Sequence, residues 1–211
     1  MPFDGIIFDL DGTLWDCSQA STDAFNRAFE ALGVSKRITR ELVRSITGKP
    51  ESEFIDILLA DLQSVTRVQA QRLYDQFELD MVIKAAASSL YPDVERGIKT
   101  LKGLCKLFVV SNCGASYLEA FHQHTSIGGD FTDSESYGRT QRLKHENIKA
   151  VIDRNELRSA CYIGDTAGDE AAAKQAGIPF YHVGYGFGQP VNAPQSFASF
   201  GELTEYFVLA K

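Results

Sequence analysis

The sequence predicts an α/β protein: an open parallel sheet covered by helices, with an all-helical segment inserted after the first strand. Three observations carry this expectation. Short apolar runs each end in a polar or glycine-rich turn, and stretches with helical spacing separate them. One long segment, residues 18–87, holds no convincing strand. Nearly continuous apolar runs suit strands covered on both faces. Strands alternating with helices imply a sheet built through right-handed crossovers.

Taken in order, Gly5-Ile6-Ile7-Phe8 is the first strand and leads into Asp9. The helical segment follows. Ala24, Phe25, Ala28, Phe29 and Leu32 recur at helical spacing, as do Phe54, Ile55, Leu58 and Leu59, and again Leu73, Phe77 and Met81. Gly33, Gly48-Lys49-Pro50 and the polar stretch around Ser64 punctuate them, so about four helices are expected. Tyr91-Pro92-Asp93 reads as the return link. The predicted division is a core of residues 1–16 and 91–211, with residues 17–90 as a helical domain. Residues 94–102 then form a helix, and Lys106 to Val110 a strand leading into Ser111. Residues 115–122 and 145–155 are helical. Cys161-Tyr162-Ile163 leads into Gly164-Asp165, residues 170–176 form a helix, and Pro179 to Val183 leads into the glycine-rich residues 184–188. Residues 202–209 close the chain as a helix.

A chain of 211 residues is long enough for one sizeable core plus a smaller insert. With 44% hydrophobic and 23% charged residues, the composition is that of an ordinary soluble globular protein. The net charge of −7 excludes the basic footprint expected for nucleic-acid binding. An acidic protein that binds an anion must make its pocket locally positive, through a metal ion and a few lysines. The start, MPFDGIIFDLDG, lacks the basic residues and long apolar stretch of a signal peptide, and no run approaches transmembrane length. The expected location is cytoplasmic; no oligomeric state is implied. Cys17, Cys105, Cys113 and Cys161 show no CxxC spacing, so neither a zinc site nor a disulfide framework is expected. Cys105 and Cys161 open apolar runs and read as small core residues. His122 and His124 lie two apart on a helix and so do not share a face.

The first strand ends in Asp9-Leu10-Asp11-Gly12-Thr13-Leu14-Trp15-Asp16. Carboxylates two residues apart in extended chain point the same way, and Gly12 permits a sharp turn. Ligands of open α/β sheets bind beyond the carboxyl ends of the strands. Asp9, Ser111 and Asp165 each stand at such an end. Any one of these acids also reads as a turn or helix-cap residue. Together, Asp9, Asp11, Asp165 and Asp169 converging without a cation would repel one another, and Mg²⁺ resolves that.

These residues resemble the motifs of the haloacid dehalogenase-like (HAD) hydrolase superfamily, and more narrowly its phosphoglycolate phosphatase-like group with a helical cap. Asp9-Leu10-Asp11-Gly12-Thr13 is similar to the first motif, DxDGT; Ser111 to the second; Lys144 to the third; and Gly164-Asp165-Thr166-Ala167-Gly168-Asp169 to the fourth, GDxxxD. The resemblance spans the whole chain, including the inserted cap. It implies a Rossmann-like core and a Mg²⁺-dependent hydrolysis of phosphomonoesters through an aspartyl-phosphate. It implies Asp9 as nucleophile and Asp11 as general acid and base, with Thr13 fixing the geometry of Asp11. Ser111, Asn112 and Gly12 would border the phosphoryl group, and Lys144 would offset charge. Asp9 and Asp165 would hold Mg²⁺, together with the backbone carbonyl of Asp11, and Asp169 would bind it or hold its waters.

Departures from relatives narrow the reaction. Asp11 argues against dehalogenation. Ser21 stands where mutase relatives carry a His, and Glu51 where phosphonate-cleaving relatives carry a Lys. The expected partner is a small phosphorylated metabolite, with no nucleic acid and no membrane. Phosphoglycolate, sugar phosphates, nucleoside monophosphates and pyrophosphate stay open, so a pyrophosphatase or nucleotidase is the alternative. A receiver-like or inactive regulatory binding protein is the non-enzyme alternative. Lys49, at a cap turn, reads either as the contact for a second anionic group or as a solvated lysine. Trp15 either lines the pocket or packs under the cap.

Overall fold

The run Gly5-Ile6-Ile7-Phe8 has no polar face to offer water. It forms the central strand β1 (Gly5–Phe8) of a parallel sheet in a computed structural model of the protein, which describes residues 3–188, 193 and 195–209. The other strands among the described residues are β2 (Lys106–Ser111), β3 (Asp133–Ser136), β4 (Ala160–Gly164), β5 (Phe180–Val183) and β6 (Ser196–Phe197). Their order is β3-β2-β1-β4-β5-β6, all parallel. The chain builds outward from β1 to β3, then crosses back to set β4 against the other side of β1. Winding therefore reverses at β1, which places the ligand crevice beyond the carboxyl ends of β1 and β4.

Between β1 and β2 the chain makes α1 (Ser18–Ala31), α2 (Arg40–Ile46), α3 (Glu51–Leu59) and α4 (Ser64–Ala85). These helices have a core of their own. Phe25 and Phe29 of α1, Leu58 and Leu59 of α3, and Ala70 and Tyr74 of α4 are buried together. Fully burying each large apolar side chain stabilises by about 1.5–3 kcal/mol. Thr39 caps α2 by accepting a hydrogen bond from the Leu42 N–H. The segment joins the sheet through two adjacent links: the Asp16 N–H donates to the Ser89 carbonyl at 2.8 Å, and the Tyr91 N–H to the Leu14 carbonyl at 3.1 Å.

The remaining helices cover the sheet. Along β1 the side chains alternate, as extended chain requires. Ile6 and Phe8 join Val109 and Ile163 on one face, against Ile98 of α5 (Val94–Lys102), Phe121 of α6 (Ala115–His124) and Phe200 of α10 (Phe200–Leu209). Between α6 and α10, α7 (Tyr137–Thr140) is a single turn, followed by α8 (Lys144–Arg154) and α9 (Ala167–Ala176). Ile7, Phe108 and Tyr162 pack on the opposite face against Ile148 and Val151 of α8 and Ala173 of α9. All four cysteines are unpaired, and no helix among the described residues is long and apolar enough to cross a membrane.

Two strands go beyond the sequence expectation. β3 reads Asp-Ser-Glu-Ser and lies at the sheet edge, where apolar patterning is not required. Arg154 gathers its acids, with Nε 2.5 Å from Asp133 Oδ2 and Nη1 2.7 Å from Glu135 Oε2. β6, two residues long, is the other edge. Helix α9 starts three residues before the expected residue 170, because Thr166 and Asp169 form a capping box.

Candidate active site

Three carboxylates meet where β1 and β4 end. Asp9 follows β1, Asp165 follows β4, and Asp169 lies in the first turn of α9. Each offers an oxygen within 4.8 Å of the others, and all three are buried. The capping box aims Asp169: its Oδ2 accepts from the Thr166 N–H at 3.0 Å and Thr166 Oγ1 at 2.6 Å, leaving Oδ1 to face Lys144. Asp169 is thus both a helix cap and a site residue. Lys144, the first residue of α8, reaches in with its Nζ 2.9 Å from Asp9 Oδ1 and 2.6 Å from Asp169 Oδ1.

The charges do not balance. Three carboxylates and one ammonium sum to −2 in a site closed to water. Burial, then the charge of Asp169, pushes Asp9 up to about 7 against the opposing pull of Lys144. Burial and Asp169 likewise push Asp165 up to about 7. Burial alone would lower the pKa of Lys144, but Asp169 and Asp9 outweigh it and hold the ammonium firmly charged. Groups arranged this way gain nothing for stability. Three hard oxygen donors with a net charge of −2 fit a divalent cation such as Mg²⁺.

Asp11 is turned differently from Asp9. Its Oδ1 accepts from Trp15 Nε1 at 3.0 Å and from the Tyr117 hydroxyl at 2.6 Å. Burial pushes Asp11 up to about 7, the Tyr117 hydrogen bond opposes the rise, and the Asp9 charge adds to it. Trp15 is fully buried, edge-on to Tyr117 and Phe121 at 5.2 Å, so it packs and positions Asp11. Thr13 reaches Asp165 instead of Asp11, with Oγ1 3.4 Å from Asp165 Oδ1. Asp165 is further held by the loop after β5, since its Oδ2 accepts the N–H groups of Phe187 at 2.7 Å and Gly188 at 3.1 Å. Gly12 makes the turn at φ 79°, and a Cβ there would stand 2.3 Å from Asp165 Oδ2.

Ser111 and Asn112 at the end of β2 line the same cavity as Asp9 and Asp11. The Ser111 hydroxyl accepts from the Cys113 N–H at 3.4 Å. Asn112 binds the helical segment twice: its Nδ2 donates to the Gly48 carbonyl at 2.7 Å, and its carbonyl accepts from the Glu51 N–H at 3.2 Å. Lys49 borders the cavity, but its ammonium pairs with Glu53 one turn along, both half-exposed. Of the two readings offered for it, the second-anion contact meets a competing partner, and its half-exposure is that of a solvated lysine. His122 bridges the Gly128 carbonyl and Ser134 Oγ, a structural role. Tyr117, Phe187, Gly188 and Glu78, the last on α4 and lining the cavity, were not anticipated. Of these only the loop gave a sign, in its glycines; the others stand on helices with no local motif.

Comparison with known proteins places this geometry. A family model described as haloacid dehalogenase-like hydrolase matches residues 6–183. The phosphoglycolate phosphatase of a Cupriavidus necator plasmid is 29% identical over 205 residues, covering 90% of this chain and 84% of that protein. The phosphoglycolate phosphatase of Vibrio vulnificus YJ016 is 28% identical over 204 residues, covering 90% of this chain and 88% of that one. Among solved structures, a haloacid dehalogenase-like family hydrolase from Streptococcus pneumoniae superposes with a TM-score of 0.83 at 22% identity, covering 98% of this chain and 99% of that chain.

Gly12→Ala should cost more than the roughly 1 kcal/mol of a positive φ alone, because its Cβ must also displace the Asp165 carboxylate. Urea denaturation measures the loss. A variant as stable as the parent would show that the Gly12 turn is not tightly set against Asp165.

Proposed function

This chain belongs to the haloacid dehalogenase-like hydrolase family and is a phosphatase of it, and we propose that it hydrolyses a small phosphomonoester with Mg²⁺ through an aspartyl-phosphate on Asp9. The observation that carries the proposal is the placement of Asp9: a buried carboxylate ending the central strand, facing Lys144, with Asp165 and Asp169 beside it.

In the proposed reaction an Asp9 carboxylate oxygen forms a bond to phosphorus as the bond to the leaving oxygen breaks. Asp11 gives that oxygen its proton. Water then attacks phosphorus while Asp11 takes the proton back, phosphate leaves, and Asp9 is restored. An acid poised at about 7 is suited to both transfers at neutral pH. Trp15 and Tyr117 keep the Asp11 carboxyl apart from Asp9, so one acid attacks while the other moves the proton. Ser111 and neighbouring backbone N–H groups hold phosphoryl oxygens, and Lys144 offsets charge as phosphate meets Asp9. Asp9, Asp165 and Asp169, with the Asp11 carbonyl, would hold Mg²⁺, which supplies positive charge against the phosphate oxygens.

Residues 17–90 act in this reading as a cap over the core, hinged at the paired links near Asp16 and Tyr91, and closing excludes water. The substrate enters as a small soluble metabolite, and the expected location is the cytoplasm. The relatives named as phosphoglycolate phosphatases support the phosphomonoester class.

Hydrolysis of p-nitrophenyl phosphate tests the mechanism. Asp9→Asn should lose roughly a thousandfold or more in turnover. Chelation should silence the wild type, and added Mg²⁺ should restore it. Undiminished turnover in Asp9→Asn would rule out the covalent route.

A second outcome needs no catalysis. Asp9, Asp11 and Asp165 at about 7 stand well above the ordinary range near 4 of an unfolded chain. The folded protein therefore holds extra protons between about pH 4 and 7, and stability falls as pH rises through that window. Mg²⁺ competes with those protons for the carboxylates. The rise in Tm on adding Mg²⁺ should be larger at pH 8 than at pH 5.5. An equal or smaller rise at pH 8 would contradict the site.

A further inference from the structure

The cavity over Asp9 has two walls. The lower is the sheet end with its phosphoryl site. The upper belongs to the helical segment, and its chemistry is unlike what an anionic leaving group needs. The cavity is lined by four acidic residues, Asp9, Asp11, Glu51 and Glu78, and by one lysine, Lys49, already paired with Glu53.

Four of the hydroxyls that line the cavity spend their protons within the protein. Ser21 donates to Glu78 Oε1 at 2.8 Å, and the Tyr74 hydroxyl donates to the same oxygen. Thr47 donates to the Val43 carbonyl at 2.9 Å, and Tyr117 to Asp11. Each hydroxyl has one proton, so what these four turn to the cavity is lone pairs.

Acceptors, by contrast, stand without partners. Asn112 Oδ1 is buried and receives no hydrogen bond, although its Nδ2 is engaged with Gly48. The Glu51 carboxylate, partly buried, lies against Gly114, where a Cβ would stand 2.4 Å from Oε1, and it accepts no hydrogen bond from the described residues. A buried acceptor left unpaired, as Asn112 Oδ1 is, is costly, and a ligand that brings the missing donor recovers that cost.

We propose that Glu51 and Asn112, backed by Glu78, select a leaving group that brings its own hydrogen-bond donors, hydroxyl or ammonium, and reject one that carries a carboxylate. The proposal rests on the phosphatase reading above and names its substrate class. A donor placed between Asn112 Oδ1 and Glu51 gains a charge-assisted hydrogen bond. A carboxylate in the same place meets Glu51 as a like charge, while Lys49, the one lysine lining the cavity, is paired with Glu53, and such repulsion is an effective means of discrimination. The chain would then differ in substrate from the phosphoglycolate phosphatases it resembles.

The test compares kcat/KM, with Mg²⁺ present, for glycerol 3-phosphate, O-phosphoethanolamine and 2-phosphoglycolate, with p-nitrophenyl phosphate as a reference. At least one of the first two should exceed 2-phosphoglycolate by roughly tenfold or more. A lead for O-phosphoethanolamine assigns the preference to charge, and a lead for glycerol 3-phosphate assigns it to hydroxyl recognition. Glu51→Gln keeps the size and removes the charge. The donor-to-carboxylate ratio should fall by roughly tenfold in that variant. Because it is a ratio within one protein, a general loss of folding or turnover does not move it. A wild type that prefers 2-phosphoglycolate, or a ratio unchanged in Glu51→Gln, overturns the inference while hydrolysis of p-nitrophenyl phosphate leaves the phosphatase reading standing. No hydrolysis of any ester overturns both.

Discussion

The site depends on an imbalance of buried charge. Asp9, Asp165 and Asp169 converge out of water around a single Lys144 ammonium. Removing carboxylates from water is expensive, and one lysine does not compensate three of them. A fold keeps such an arrangement only where other forces impose it. Here the imposing force is the sheet. Phe8 and Ile163 are paired neighbours, so Asp9, one residue beyond Phe8, and Asp165, two beyond Ile163, emerge at adjacent strand ends. The apolar faces of β1 and β4 hold the backbone, and the backbone holds the acids. Glycines complete the enclosure: Cβ atoms at Gly12, Gly186 and Gly188 would each stand within 2.5 Å of Asp165 atoms.

From that constraint the rest of the architecture follows. A cluster of acids at an open sheet end would be solvated and weak. The helical segment supplies the missing wall, and its own aromatic core lets it act as one body. Its two links lie side by side, which leaves freedom for motion about a single line. Asn112 couples the halves, because the strand end that borders the phosphoryl site also hydrogen-bonds Gly48 and Glu51. Arg44 adds a second contact across the gap, with its guanidinium 4.9 Å from the Phe187 ring. The same loop that donates to Asp165 therefore also meets the helical segment. The acid cluster, the cavity and the contacts with the helical segment share residues, so a change in one is felt in the others.

Much of this was legible in the sequence where physics acts locally. Apolar runs ending in Asp9, Ser111 and Asp165 gave the strands that matter, since buried parallel strands must be apolar throughout. DxDGT and GDxxxD identified the acids, because each motif is read within one turn of chain. Edge strand β3 was silent, since Asp-Ser-Glu-Ser carries no apolar signature. The partners of Asp11 were silent for another reason: Tyr117 is 106 residues away from it, and only the packing of α6 on the sheet brings them together. Thr13 illustrates the limit within a motif, for its identity was read but its contact with Asp165 depends on how the Gly12 turn closes. Lys49 read either as a contact for a second anion or as a solvated lysine, and local sequence could not decide between them, since its pairing with Glu53 one helical turn on depends on side-chain placement.

The distribution of charge also bears on recognition. With a net charge of −7, the protein does not draw anions by its overall field. In the proposed reaction attraction would be local and short-ranged, from Lys144, the backbone N–H groups around Ser111 and a cation that the acids would hold. All of these would act at the lower wall, so every phosphomonoester would receive the same pull there. Discrimination among substrates would then fall to Glu51 on the helical segment and Asn112 at the end of β2. A phosphate end drawn down and a donor-bearing end held above would give the substrate one orientation. That orientation would set the bond to be broken between Asp9 and Asp11, two acids with separate hydrogen-bond partners: Lys144 for Asp9, Trp15 and Tyr117 for Asp11.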